Sequence, residues 1–319
     1  MSAVQSKGHA ALNRAAVALV VVITLIYLIP IYWITTTAFK PRSLATTVPP
    51  TVVFKPEVTA FVKLFTKRVQ MLGQVEPEVY QKAPWWEQRI YDQGERFIKD
   101  SNGKIELSGY PSRFLNSLII AITSTLLAVA MGTITAYGFS RFRMPGEQDW
   151  LFFILSTRML PPVVVAIPMF LMYRAVGLVD THFGLIMLYT AFNLSFSVWL
   201  MKGFIDEIPK EYEEAALVDG YTRMEAFFKI VLPQAATGIA ATAVFCFITA
   251  WNEYAFALMM TNRRAQTAPP FIPSQLGSGI TDWTAIAAGT VLFLLPVAVF
   301  TFLLRKHLLR GVTFGAIRK

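Results

Sequence analysis

The sequence predicts an all-α membrane protein with six transmembrane helices and a polar extracytoplasmic insert between the first two. Of its 319 residues, 55% are hydrophobic and only 15% are charged, whereas a soluble domain carries nearer a quarter charged residues. Apolar runs of about 20 residues recur, and each can cross the hydrocarbon core as a helix that satisfies its own backbone hydrogen bonds. Lysine and arginine gather at the edges of these runs, as in membrane proteins.

The first apolar run, residues 15–38, follows a short tail at residues 1–14. No charge interrupts it between Ala15 and Phe39. A signal peptide has a hydrophobic region of only about 7–15 residues, followed by a small-residue cleavage site, and the sequence shows neither feature. The run therefore predicts a retained first transmembrane helix.

Five further apolar runs predict the other transmembrane helices, which lie within a core at residues 113–305. Prolines interrupt two of these runs, and membrane helices tolerate proline where neighbours satisfy the freed carbonyls, so kinked helices are expected. The runs are residues 113–139, 150–172, 183–204, 235–260 and 285–305, and the prolines are Pro161, Pro162, Pro168 and Pro296.

Lysine and arginine also predict the orientation of the helices. With a cytoplasmic N-terminus, the cytoplasmic segments hold most of the basic residues outside the long insert, as the positive-inside rule requires. Both termini, including the tail at residues 306–319, are therefore predicted to be cytoplasmic. The two short external loops hold only Arg174, Arg263 and Arg264.

The insert, residues 39–112, is too polar to enter a membrane. Its segment 62–108 mixes charges with aromatic residues, including the adjacent Trp85 and Trp86, and predicts a small helical lobe outside the membrane. The lobe either caps the helix ends or offers a docking surface to an external partner, and the sequence leaves both interpretations open.

Composition excludes several functions. The single cysteine, Cys246, permits no intramolecular disulfide, and neither it nor the histidines His9, His182 and His307 form a metal-ligand pattern. No metal site or catalytic set is therefore expected. The net charge of +9 belongs to the membrane edges, so no nucleic-acid partner is expected.

The segment 205–234, between the fourth and fifth spans, carries the strongest functional pattern. Pro209 suits the first turn of a helix, and Glu211, Glu213 and Glu214 favour a helix N-terminus. Gly220 can end that helix in a left-handed conformation. The pattern predicts a short helix that either fits closely into another protein's groove or lies on the membrane surface as an ordinary amphipathic helix.

A second short helix follows directly. Thr222 and Glu225 have the spacing of a capping box, and Pro233 ends the helix before the fifth span. The loop is thus predicted to be two short helices with a sharp corner on the inner face of the membrane.

These residues resemble the "EAA" loop of binding-protein-dependent ABC importer permeases. The match is Glu214-Ala215-Ala216, three residues, Gly220, nine residues, Ile230, one residue, and Leu232-Pro233. The resemblance implies a type I importer permease fold in a bacterial inner membrane, in which the helix within 211–222 docks into a cleft of an ATP-hydrolysing subunit. The coupling residues it implies are Glu211, Glu214, Ala215, Ala216, Asp219, Gly220, Ile230, Leu232 and Pro233.

Further motifs resemble the carbohydrate branch of this family, and in particular the shorter permease subunit of maltose-type importers. The polar stretch 66–108 departs from the family by its greater length, which puts a standard fit to the binding protein in doubt. The motifs are Ala136-Tyr137-Gly138-Phe139-Ser140-Arg141-Phe142-Arg143, Pro161-Pro162, Gly177-Leu178-Val179-Asp180-Thr181, Trp251-Asn252-Glu253-Tyr254 and Arg310-Gly311-Val312-Thr313-Phe314-Gly315-Ala316.

The resemblance also implies an assembly. Its members are a second permease, an ABC ATPase dimer and an external solute-binding protein, which together move a sugar-type solute across the lipid bilayer. ATP and Mg²⁺ would bind the ATPase, since this chain has no phosphate-binding G-x-x-x-x-G-K-[ST] motif. The solute remains open among neutral sugars, polyols, sugar acids and sulfonated sugars.

Polar residues inside the predicted spans are candidates for a substrate path. A charge near the bilayer centre costs about 2.5–3.5 kcal/mol on insertion scales, so such a residue is expected only where it is paired or in contact with water. As path residues, Arg158 and Glu253 are expected either to pair with each other or to face a water-filled cavity. The alternative is that they have no role in the path and form a structural ion pair or a subunit contact. The candidates are Arg158, Asn193, Asn252, Glu253 and Tyr254.

Two other functions compete with the importer permease. An ion-coupled secondary transporter often has two related halves and buried ionisable relays, but this sequence has no internal repeat and few intramembrane acids. An intramembrane enzyme needs a clustered catalytic set, which is absent from the sequence. The loop at Glu214–Pro233 separates the hypotheses, because a secondary transporter has no use for it.

Overall fold

The computed structural model describes residues 7–71, 73–274 and 282–314. These residues form two compact units. The first contains residues 7–108 together with 282–292, and the second contains residues 109–274 together with 293–314.

The first unit begins with one long helix, α1 (Lys7–Ala38). This confirms the helix predicted at residues 15–38. Its segment Asn13–Ala38 is long and apolar enough to cross a membrane, and its most apolar stretch has no residue buried within the chain. A helix that is apolar all round and uncovered in the isolated chain must face lipid or another subunit.

A lobe of short elements follows α1. Its two strands pair antiparallel, with Arg68 opposite Phe97 and Gln70 opposite Glu95. The lobe predicted to be helical thus has three helices and also a two-stranded sheet, which was not predicted because strands of three residues leave too little alternation to be read from the sequence. The elements are a 3₁₀ turn at Arg42–Leu44, α2 (Thr59–Phe65), β1 (Arg68–Gln70), α3 (Pro77–Lys82), α4 (Trp85–Tyr91) and β2 (Glu95–Phe97).

Buried charges link the lobe to the start of the last helix, α15 (Trp283–Phe314). Lys63 is only 2% exposed, and its Nζ lies 2.9 Å from Asp282 Oδ2 and 3.4 Å from Glu95 Oε2. Asp282 also accepts a hydrogen bond from the Ala285 N–H at 3.1 Å, so it caps α15. Burial raises the pKa of Asp282, but Lys63 and the hydrogen bonds outweigh it and lower that pKa to about 2.

The second unit is built around α5, α8 and α12, which pack against one another. Gly132 on α5 lies so close to Ser197 on α8 that a Cβ would collide with the serine side chain. The helices of this unit, besides the remainder of α15, are α5 (Tyr110–Arg141), α6 (Glu147–Ser156), α7 (Pro162–Ala175), α8 (His182–Asp206), α9 (Glu211–Val218), α10 (Arg223–Ala226), α11 (Leu232–Gln234), α12 (Ala236–Trp251), α13 (Ala255–Met260) and α14 (Ala268–Ser274).

Two of the predicted spans are not continuous helices. The run at 150–172 breaks at a 3₁₀ turn, Thr157–Met159, and α6 and α7 meet at 92°. Pro161 and Pro162 explain the break, because proline removes a backbone donor and disfavours helix in the residue before it. The run at 235–260 likewise breaks after Trp251, where α13 begins a new helix.

The described helices supply four membrane spans by length and apolar composition. The number rises to six if each bent pair crosses as one span, which includes a 73° bend between Arg223–Gln234 and α12. The chain is thus a helical, multi-pass membrane protein.

Candidate coupling site and translocation path

Local hydrogen bonds shape the segment between α8 and α12, which we call the elbow (residues 207–235). Gly220 has a φ of +88°, and the N–H groups of Gly220 and Tyr221 donate back into the last turn of α9. This is the predicted glycine cap. Thr222 and Glu225 form the predicted capping box at the start of α10. Two short helices with a sharp corner are therefore confirmed.

The predicted coupling residues lie on both faces of the elbow. Ala216, which the resemblance implies to be a coupling residue, is only 5% exposed, because consecutive helical residues point to different sides. Ala215 is exposed beside it. The other exposed members are Glu211, Glu214, Asp219, Gly220 and Pro233, and the half-buried members are Ile230 and Leu232.

Large apolar side chains are exposed around this acidic surface. Apolar patches of this kind mark interaction sites when they are contiguous and rimmed by polar residues. They are exposed on the same elbow as Glu214, so a partner that covers the elbow would meet both charge and apolar area. They are Tyr212 at 52%, Val218 at 88%, Tyr221 at 39%, Met224 at 58% and Phe228 at 55% exposed.

A buried acid fixes the elbow to the end of α5. Glu213 is 7% exposed; its carboxylate accepts a hydrogen bond from the Tyr137 hydroxyl at 2.8 Å and pairs with the Arg141 guanidinium. Arg141 also donates to the Ile208 carbonyl at 2.9 Å. We call this set the latch. Glu213 was not predicted as a site residue, although the basic residue of the Ala136–Arg143 motif could have suggested an acidic partner.

An apolar core lies beneath the latch. The rings of Tyr137 and Phe227 are 4.6 Å apart, and Met201, Ile205 and Val231 are fully enclosed next to them. Phe227–Val231 is π-helical, a local widening that often occurs at functional sites. This packing makes the elbow continuous with the ends of α5 and α8.

Among the candidate path residues, Asn193 is the centre of a polar network. It is 2% exposed, and its amide donates to the Cys246 carbonyl at 3.2 Å. Its Oδ1 accepts from Thr249 at 2.7 Å and from the Arg158 guanidinium at 3.1 Å. Asn193 therefore links α8 and α12 to the break between α6 and α7.

Arg158 and Glu253 do not pair with each other. Arg158 is half-buried, bonds to Asn193 and lies 5.9 Å from the centroid of the Phe196 ring. Glu253 instead accepts from the Tyr189 hydroxyl at 2.7 Å and from two backbone N–H groups at the start of α13. The acid thus caps a helix after the chain break, and of the alternatives left open for Arg158 and Glu253, the direct ion pair is wrong.

The Trp251–Tyr254 motif divides by exposure. Trp251 is 1% exposed; its indole N–H donates to the Phe293 carbonyl at 3.0 Å, so it belongs to the core. Asn252 and Tyr254 are exposed. These two side chains, with the half-buried Arg158, are the candidate path residues that a solute could touch.

Asp180 holds together two loops at the opposite end of α8 from the elbow. It adopts a left-handed φ of +57°, and its carboxylate accepts N–H bonds from four consecutive residues, 262–265. Partial burial raises the pKa of Asp180, but these donors outweigh it, so the net effect is a lowered pKa. The motif Gly177–Thr181 therefore has a structural basis that the sequence did not reveal.

Apolar membrane helices, a polar network between them and an anchored elbow define the class: a multi-pass membrane permease. The chain belongs to the family of binding-protein-dependent transport system inner membrane components, which matches residues 124–314. It is accordingly an ABC importer permease subunit, and the sugar-transport relatives that follow support the carbohydrate branch.

Two relatives and one solved structure illustrate the likeness. The trehalose transport system permease protein SugB of Mycobacterium tuberculosis is 35% identical over 212 residues, covering 66% of this chain and 77% of that protein. The trehalose/maltose transport system permease protein MalG of Thermococcus litoralis is 32% identical over 211 residues, covering 66% and 76%. A bacterial ABC transporter that imports the acidic polysaccharide alginate matches with a TM-score of 0.65 at 18% identity, covering 96% and 100%, and shows the fold alone.

Proposed function

We propose that this chain forms half of the translocation path of an ATP-driven importer for a sugar or sugar derivative. The helix at residues 211–222 couples that path to the ATPase. The observation that carries this proposal is the elbow, which exposes Glu214, Ala215 and several apolar side chains while Glu213 anchors it from beneath.

The proposed assembly contains a second permease, an ATPase dimer and an external solute-binding protein. The family's own description as binding-protein-dependent supports the external partner. ATP and Mg²⁺ belong to the ATPase. In this assembly both termini and the elbow are cytoplasmic and the lobe is extracytoplasmic, as the distribution of basic residues favours.

The elbow can transmit force because its two faces have different tasks. The exposed face docks on the ATPase, and the buried face continues into α5 and α8 through the latch and its apolar core. When ATP binding moves the docked helix, the packed helix ends move with it. Transport then follows from the different affinities of the two conformations for solute and nucleotide.

Relatives support a sugar-type solute, since the names of SugB and MalG both specify sugars. Asn252 and Tyr254 supply a hydrogen-bonding amide and an exposed aromatic ring. Arg158 supplies guanidinium donors at the break between α6 and α7, and broken helices commonly surround transport sites.

The test is a charge reversal on the exposed face. Glu214→Arg should leave the chain in the membrane, abolish uptake and weaken co-purification of the ATPase, because an acid at a docking surface becomes a base. Glu78→Arg is the matched control, since Glu78 is also exposed in the first turn of a short helix but lies in the lobe. Normal uptake and ATPase association in Glu214→Arg would refute the coupling role.

The ion-coupled secondary transporter is not favoured. The chain belongs to a family of binding-protein-dependent permeases, and the elbow has a purpose only if a second protein docks on it. Uptake by this chain alone, driven by an ion gradient, would reverse that judgement.

A further inference from the structure

Arg158 carries a positive charge in the middle of the second unit. Its guanidinium donates to Asn193 Oδ1 at 3.1 Å, and Asn193 is the twelfth of the 25 residues of α8. Because α8 is long and apolar enough to cross a membrane, the guanidinium lies near the middle of that span. A charge at that depth is costly unless an opposite charge or water compensates it.

No acid in the described part of the chain pairs with this charge. Glu253, at the break after α12, bonds to the Tyr189 hydroxyl and caps α13. Other carboxylates of the same unit pair with Arg141, Lys202 and Lys229. The compensation for Arg158 therefore has to come from water or from another molecule.

The Arg158 guanidinium also has donors left to bind such a molecule. Among the described residues it makes one hydrogen bond, to Asn193, whereas a guanidinium has five N–H donors. Arg158 is half-buried, and its nitrogens are not among the enclosed polar atoms that lack a partner. The remaining N–H groups therefore have accessible surface from which to meet a ligand.

An aromatic surface adjoins the guanidinium. Arg158 lies 5.9 Å from the centroid of the Phe196 ring, and Phe196 stacks on Phe245 of α12 with the ring centroids 4.0 Å apart. The Trp199 ring lies 6.5 Å from that of Phe196. Phe245 is 41% and Trp199 is 51% exposed, so both rings have area left for a ligand.

Hydrogen-bonding side chains continue this surface along α12. Phe245, Thr249 and Asn252 are spaced by four and three residues, so they lie on one face of the helix. The Thr249 hydroxyl donates to Asn193 Oδ1 at 2.7 Å, the same atom that Arg158 contacts, and Asn252 is exposed. Flat apolar rings with a few placed polar groups are typical of a small-molecule site.

We infer that the solute is a sugar that carries an oxyanion, a carboxylate or a sulfonate, and that Arg158 binds this group. The inference rests on the proposed function, which places these residues on the translocation path. The oxyanion accepts two N–H bonds from the guanidinium fork. The sugar ring contacts the exposed Phe245 and Trp199 rings, and a sugar hydroxyl bonds to the Asn252 amide.

Other occupants leave part of this surface unsatisfied. A neutral sugar would leave the charge of Arg158 uncompensated, and an inorganic anion would leave the aromatic rings uncovered. An acid of the second permease would compensate the charge, but Arg158 would then be a subunit contact and the charge of the solute would not affect binding. These alternatives predict different binding results.

Binding of sugars to the importer complex tests the inference. Equilibrium dialysis measures radiolabelled glucose, glucuronate and sulfoquinovose on the complex of both permeases and the ATPase, without the binding protein, whose own selectivity would otherwise intervene. Glucuronate or sulfoquinovose should bind at least about tenfold more tightly than glucose, because charge-assisted hydrogen bonds are the stronger ones. The more tightly bound of the two identifies the oxyanion. No difference between the charged sugars and glucose, or displacement by inorganic sulfate as effective as by the charged sugar, would overturn the inference.

Variants locate the oxyanion. Arg158→Gln should lower the ratio of charged-sugar to glucose affinity to near one, and Arg158→Lys should keep part of the preference, since it retains the charge without the planar fork. Arg174→Gln is the matched control, because Arg174 is exposed in the last turn of α7, and should keep the full preference. An unchanged ratio in Arg158→Gln, with or without loss of the second permease from the complex, refutes the site.

A transport assay separates this inference from the proposed function. ATP-driven uptake of glucose by the complete importer, with no preference for charged sugars at the permease, would refute the oxyanion site and leave the importer function standing. If ATP fails to drive uptake of the solute that the binding protein holds, the proposed function itself is refuted.

Discussion

Lys63 shows at the scale of a residue how this chain tolerates a buried charge. Its ammonium is almost fully enclosed and is neutralised by Asp282 and Glu95. Arg42 and Arg68 also contact Glu95, at 2.9 and 3.1 Å. Removing one partner of such a pair is more damaging than removing both, because the remaining charge stays buried without compensation.

The first prediction concerns Asp282. Its pKa lies near 2 in the folded chain and at 3.8 ordinarily, so its stabilisation is present above pH 4 and is lost as the pH falls through 2, by about 2 kcal/mol. Asp282→Asn should flatten this part of the stability profile and destabilise the protein at pH 7. Chemical unfolding in detergent between pH 7 and 2 measures both effects.

Lys63→Met/Asp282→Leu is the control for that variant. Since it removes both charges from the site, it should recover most of the stability that Asp282→Asn loses at pH 7. If Asp282→Asn keeps the wild-type pH profile, Asp282 does not carry the ion pair.

The second prediction separates two neighbouring path candidates. Asn252 is exposed and its amide donates to the Ile248 carbonyl of its own helix, so Asn252→Ala should lower uptake without lowering the melting temperature. Glu253 caps α13. Glu253→Ala should therefore lower the melting temperature, because losing the cap costs about 1 kcal/mol of stability. Uptake assays and thermal unfolding of both variants distinguish the roles, and normal uptake in Asn252→Ala would remove it from the path.

At the scale of elements, the elbow depends on contacts that are distant in sequence. Thr222, Glu225 and Gly220 could be predicted because each acts within three or four residues of itself. Glu213 could not, since Tyr137 and Arg141 lie far away along the chain and only folding brings them together. The bend in the run 150–172 was predicted from its prolines, whereas the break after Trp251 was missed, because an apolar run without proline has the same composition whether or not it bends.

The same difference between local contacts and contacts distant in sequence explains how much of the candidate path could be predicted. Asn193 was found because a polar residue in an apolar run is conspicuous, but its partners Thr249 and Cys246 lie on another helix. For Glu253 the sequence offered a pair with Arg158 as one alternative, whereas the structure satisfies the acid with the Tyr189 hydroxyl and local N–H groups.

The third prediction concerns the latch. Glu213→Gln removes the charge that pairs with the buried Arg141, so the docked helix should move without pulling α5 along. In proteoliposomes containing the assembled importer, ATP hydrolysis should continue while the solute moved per ATP falls by roughly tenfold, the loss expected if about 1.4 kcal/mol of coupling disappears.

Two further variants interpret that result. Glu213→Gln/Arg141→Met removes both members of the pair and should restore part of the coupling, because no unpaired charge is left buried. Glu78→Gln, at an exposed acid in the first turn of a short helix of the lobe, should retain the wild-type ratio of solute to ATP. A fall in hydrolysis and uptake together would mean that Glu213 supports docking or folding and does not transmit force.

At the scale of the whole molecule, much of the apolar surface has no cover within the chain. The exposed residues of α1 and the acidic, apolar elbow are open to partners, and under the proposed function the polar network around Asn193 lines only half of the path. The fourth prediction is therefore that the purified chain moves no solute alone. In proteoliposomes it should stay inactive under proton or sodium gradients and become active only with the second permease, the ATPase, the binding protein and ATP.

An ATPase unable to hydrolyse ATP is the control, since it permits assembly but should abolish sustained uptake. Gradient-driven uptake by the chain by itself would contradict the importer mechanism, because transport would then need no ATPase docked on the elbow.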